Sequence, residues 1–181
     1  MKAVLMSIKP KWCELIASGK KTIEVRKTKP NLQPPFKAFI YCTSIKSMPL
    51  DEYVRIHRAT DGKIDDWHSM VIGEFVCNAI ISHCEMANAD IAEQQGRIKR
   101  EHLLQYANGK ELYGWHISDL VIYDKPRELS EFRTLTDCNS KIAKDMLCNT
   151  CCLSANFCSK KPKRITRPPQ SWCYVEEVDN G

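Results

Sequence analysis

The chain has no apolar run approaching the roughly 20 residues needed to cross a bilayer, which predicts a protein without membrane-spanning helices. No secretory leader is expected either: in MKAVLMSIKPKW the charged Lys9 and Lys11 follow a hydrophobic run too short for an apolar core, with no small-residue cleavage site. A cytoplasmic location is therefore expected. There is no internal repeat and no long low-complexity tract, so 181 residues imply one folded domain, 1–181, with insertions. Hydrophobic residues at 43% and charged residues at 27% suit a globular core.

Charge is present but uneven. The net charge is +5, yet residues 1–37 hold nine Lys/Arg against Glu14 and Glu24, a local +7 that leaves −2 for the rest. A second basic block, Lys160, Lys161, Lys163, Arg164 and Arg167, contains no acid. Two such patches are what a phosphate-contacting surface requires, although each alone also fits a solvated face.

The apolar pattern orders the elements. Residues 3–8 read as a buried strand ending before Pro10. Pro10 suits a first helical position, Trp12, Leu15 and Ile16 share one helix face, and Gly19 suits a left-handed exit. Residues 21–27 alternate, with Ile23 and Val25 on one face and Thr22, Glu24 and Arg26 on the other, predicting a half-buried strand. Phe36 to Thr43 reads as a central strand, 44–69 as a polar, irregular inserted loop, and Val71 to Ser82 as a strand bent near Gly73. Asp90 and Glu93 have capping-box spacing, which predicts a helix carrying Ile91, Ile98 and Leu104 on one face and ending at Gly109. Trp115 to Tyr123 and Ser171 to Val178 complete the strands, the last placed to close a barrel beside the first.

The stretch Gly19-Lys20-Lys21-Thr22-Ile23-Glu24-Val25-Arg26 matches the G-x-K-x-x-E-x-R signature of the ASCH family, and the preceding SIKPKW with its helix fits the same pattern. LYGWHISDLVIYDKPRELSEF and RPPQSWCYVEE resemble later segments of phage or bacterial ASCH proteins, so the resemblance covers most of the chain. It implies an α+β fold, a PUA-like β-barrel with a short N-terminal helix, a second helix and here a Cys-rich insertion. It further implies a module that binds RNA or a nucleotide through a cleft lined by the signature.

The residues support such a site independently. Glu24 and Arg26 share a strand face and can split hydrogen bonds to a planar amide-like edge, although on a bare strand they would read as a surface cross-strand pair. Lys21 sits at the turn entering the strand, where its stem can swing toward a phosphate or carbonyl. Ser7 and Lys9 end the first strand and can line the same cleft, while Gln170 and Trp172 are placed at its rim. Trp12, Tyr41 and Trp115 are further stacking candidates, with Trp12 and Trp115 assigned mainly to packing and His116 to structure.

Some family members resemble hydrolases, amidohydrolases of N4-acylated cytosine nucleosides or ribonucleases. In the amidohydrolases a lysine matching Lys21 activates a threonine three residues on; here that position is Glu24. If the chain is an enzyme, its catalytic residues are Lys21 and Glu24, the carboxylate acting as general base toward water. The resemblance thus favours recognition over catalysis.

Of ten cysteines, five cluster in the insertion 134–166. Cys148-x-x-Cys151 has zinc-knuckle spacing, and Cys138, Cys148, Cys151 and Cys158 can supply four thiolates for a structural zinc, with adjacent Cys152 leaving ligand choice open. The alternative is a loop of free thiols. Cys13, Cys42, Cys77, Cys84 and Cys173 read as small buried hydrophobes.

Overall fold

The computed structural model describes residues 2–82, 91–135 and 162–177. Strand β1 (Lys2–Ile8) is buried on both faces, because Val4, Met6 and Ile8 enter one core while Ala3 and Leu5 enter another. Helix α1 (Pro10–Ala17) follows at once, with Pro10 in its first turn and Gly19 left-handed just beyond it at φ 72°. The edge strand β2 (Ile23–Arg26) is next, then the central strand β3 (Phe36–Cys42). Burial on β2 departs from the half-buried reading: all four residues, charged Glu24 and Arg26 included, are buried.

The segment read as an irregular loop at 44–69 carries two helices, α2 (Leu50–Ala59) and α3 (Ile64–Trp67). Its signals were sparse but physical. Asp51 and Glu52 in the first turn and His57 and Arg58 in the last complement the α2 dipole, and Ile56, Ile64 and Trp67 are the buried anchors of the pair in the core, with Tyr53 packed against it. Arg55 also reaches the buried Glu14 of α1, Nη1 to Oε2 at 3.3 Å.

Strand β4 (Val71–Ile81) pairs with β3 on one side and with β5 (Tyr113–Arg127) on the other, with register shifts that curl the sheet. The expected bend at Gly73 coincides with one of these shifts. Strand β5 extends well past both ends of the predicted Trp115–Tyr123.

The single helix expected to run to Gly109 is divided. A π-helical turn (Ile91–Gln95) is separated from α4 (Arg100–Ala107) by Gly96 and by Arg97, whose φ is 56°. Glu93 Oε1 accepts from the Arg100 amide at 3.1 Å, so this carboxylate caps α4. Its predicted partner Asp90 lies outside the described residues. Leu103 and Ala107 are the buried face of α4, whereas Leu104, predicted to face inward, is 64% exposed.

A 3-10 turn (Leu129–Glu131) and strand β6 (Trp172–Glu176) complete the order β2-β5-β4-β3-β1-β6, a strongly curled six-stranded half-barrel. As expected, β6 lies beside β1, antiparallel, while β1 and β3 run parallel. One core fills the space between the sheet, α1, α2 and α3; a second, around Phe39 and Phe132, covers the opposite face; a third joins β2 to α4 through Ile23, Val25, Leu103 and Ala107. No helix among the described residues is long and apolar enough to cross a membrane.

Candidate functional site

The sheet leaves β2 at one edge and β6 at the other, and the signature residues lie where those edges approach. Arg26, last in β2, crosses the seam: Nη2 donates to the Ser7 carbonyl of β1 at 2.8 Å, and Nη1 lies 3.4 Å from both the carbonyl and the hydroxyl of Ser171. Two further bonds run the same way. The Trp172 indole N–H donates to Thr28 Oγ1 at 2.9 Å, and the Asn31 amide donates to the Tyr174 hydroxyl at 2.7 Å.

Behind the seam lies a buried charged trio. Glu24 Oε1 is 3.0 Å from Arg26 Nη2, and Glu24 Oε2 is 3.5 Å from Lys21 Nζ. Lys21 is 1% exposed and donates to the Gly96 carbonyl at 2.6 Å, with the Trp12 ring 5.0 Å from its ammonium. The lysine read from the sequence as free to swing toward a phosphate or carbonyl is thus held in the interior, on a backbone carbonyl. The Lys21 backbone amide bonds Leu15 at the end of α1, and the break after the π turn brings the Gly96 carbonyl inward, so both neighbours hold the side chain inside. Burial lowers the Lys21 pKa; Glu24 opposes that shift and Arg26 adds to it.

Exchanging buried ion pairs for apolar residues is often neutral or stabilising, so three charges here are poorly explained by stability alone. Among the described residues three buried side-chain nitrogens have no hydrogen-bond partner, Arg26 Nε, His68 Nδ1 and Trp115 Nε1, and of these Arg26 Nε belongs to the trio.

Of the predicted site residues, the structure brings Ser7, Lys21, Glu24 and Arg26 together. Ser7 contributes its carbonyl, while its hydroxyl donates to Pro169 at 2.6 Å. Trp172 is half-buried, with its ring centroid 5.8 Å from that of Trp115 and its N–H satisfied by Thr28, so it packs the seam. Lys9 and Gln170 are exposed and make no side-chain bond to the trio among the described residues. Sequence reading missed Ser171 and Gly96. Ser171 stood beside the residues singled out, but Gly96 acts through a backbone carbonyl and leaves no side-chain signal.

His116, assigned to structure in the sequence, has its Nδ1 2.7 Å from Asn78 Oδ1. Cys13, Cys42 and Cys77 are buried and Cys173 is partly so; burial raises the Cys77 thiol to about 12 and Cys173 to about 11. Cys84 and the four proposed zinc ligands lie outside the described residues, among which no group of three or more metal-binding side chains gathers.

Solved structures of an ASCH protein share the fold. ASCH from Zymomonas mobilis is 19% identical, covering 95% of this chain and 86% of that one at a TM-score of 0.53. A serine-to-alanine variant of it gives 18%, 95%, 87% and 0.55, and a tyrosine-to-phenylalanine variant 20%, 96%, 90% and 0.51. At such identities the likeness concerns the fold. No curated protein sequence matches the chain. The ASCH domain model matches residues 6–127, a span from the end of β1 through the whole signature to β5, and the chain belongs to the ASCH domain family, with its PUA-like fold.

Proposed function

We propose that this protein is a cytoplasmic RNA- or nucleotide-binding module that recognises a base at the cleft lined by Lys21, Glu24 and Arg26. The observation that carries this reading is the unpartnered Arg26 Nε inside a buried, otherwise paired charge cluster. A guanidinium donor beside a carboxylate acceptor matches the alternating edge of a base, and burial strengthens such bonds. Affinity for single-stranded and structured RNA, measured at two salt concentrations, tests it. Binding that weakens with salt and falls in Arg26→Lys is expected, and absence of binding at both salts overturns it.

A second reading rests on Lys21, whose lowered pKa and 3.5 Å approach to Glu24 suit a hydrolase. Incubation with N4-acetylcytidine and with RNA decides: turnover by the wild type that disappears in Lys21→Ala supports an amidohydrolase or ribonuclease. The structural zinc of Cys138, Cys148, Cys151 and Cys158 is likewise proposed. One equivalent of zinc, lost on substitution of Cys148 and Cys151, is the expected result of metal analysis.

A further inference from the structure

Surface lysines sit over aromatic rings on the elements that flank the trio. Beyond the end of β2, Lys27 Nζ lies 4.8 Å from the ring centroid of Tyr106 on α4, and Lys29 Nζ lies 5.2 Å from that of Tyr113 at the start of β5. On α1, Lys11 Nζ is 4.8 Å from Trp12, the same ring that Lys21 approaches from inside. These pairs adjoin the site through the strands and helix beside it: Tyr113 is the register partner of Arg26, and Tyr106 lies on α4, whose Leu103 and Ala107 pack with Ile23 and Val25 of β2. Tyr106 is 40% exposed. The stretch 27–37 contains no acid, the carboxylate of Glu111 meets Tyr113 at its hydroxyl, and the Tyr113 ring, half-buried against the main core, carries Lys29 over it.

We propose that Lys27, Tyr106, Lys29 and Tyr113 form a track for a single-stranded polynucleotide, which carries nucleotides neighbouring the recognised base away from the trio. This rests on the base-recognition reading and names its substrate class, a strand rather than a free nucleoside. Each ring offers a face on which any base stacks, and each ammonium can pass from ring to phosphate when a base arrives. A duplex keeps its base faces stacked internally and cannot use the rings.

The test compares one mononucleotide, a single-stranded oligoribonucleotide of about six residues containing it, and the same oligomer in a duplex, titrated by fluorescence anisotropy or calorimetry. Affinity is expected to rise about tenfold or more from mononucleotide to single strand, the size of one base–aromatic contact, and not to rise for the duplex. Tyr106→Ala should collapse that gain. Lys27→Gln with Lys29→Gln, which leaves the rings and core untouched, should make the salt dependence shallower by about 0.7 in log–log slope per lysine. Equal affinity for mononucleotide and oligomer, tighter duplex binding, or an unchanged gain and slope in these variants overturns the track. The two readings fail separately. A mononucleotide that binds without gain on lengthening removes the track alone, whereas oligomer binding lost in Tyr106→Ala but indifferent to Arg26→Lys removes the base site alone. Binding of none of the three removes both.

Discussion

Glu24 is the residue on which the interior charges depend, since its two oxygens face Lys21 and Arg26 separately. Removing it leaves two buried cations facing each other. Glu24→Ala is therefore expected to cost about 3–5 kcal/mol, measured by urea unfolding, and a loss under about 1 kcal/mol would place the pairs in the range of surface bridges. Lys21 carries a linked pH prediction. Its folded pKa lies below the ordinary 10.5, so between the two values the unfolded chain binds more protons and stability rises with pH. The gain accumulates from the folded pKa upward and is complete above 10.5. In Lys21→Met this alkaline rise should flatten relative to wild type, as read from unfolding free energies across that range.

Among the elements, β4 has the narrowest tolerance. It lies between β3 and β5, and at Gly73 the partner strand comes so near that an added Cβ would overlap the Val121 carbonyl oxygen and crowd the Ile122 Cα at 3.1 Å. Backbone atoms cannot move aside as a side-chain tip can. Gly73→Ala should cost about 1–3 kcal/mol or more by overpacking, and a thermal melt unchanged from wild type would contradict it. Helix α2 offers the contrast, because Leu50 is 75% exposed and Ile56 alone is buried along its length.

At the scale of the molecule, the half-barrel is held shut by side chains, with Arg26 of β2 and Thr28 and Asn31 beyond it bonded to Ser7 of β1 and to Ser171, Trp172 and Tyr174 at β6. The recognition site and the closure of the fold thus share Arg26. Lysine at this position keeps the charge but loses the planar fork that bridges two strands. Native-state hydrogen exchange of Arg26→Lys should show amides of β2 and β6 losing protection together. Faster exchange confined to β2 would mean that the seam does not couple the edges.

The sequence alone was enough to identify β1, α1, β2 and β3, because their apolar periods, Pro10 and Gly19 act locally, and the signature spacing placed Lys21, Glu24 and Arg26 in one group. Alternation along β2 gave the shared face of Glu24 and Arg26 for the same local reason. Depth was decided elsewhere. A period of two says which side chains share a face but not what covers it, and only α1, the π turn and the approach of β6 make those charges interior. The α2–α3 segment looked irregular because three apolar anchors spread over a polar stretch give a weak local period, although the assembled core holds them firmly. Gly96 and Ser171 entered the site for a reason no local pattern carries: they meet Lys21 and Arg26 through bonds spanning 75 and 145 residues, so chain folding alone brings them together.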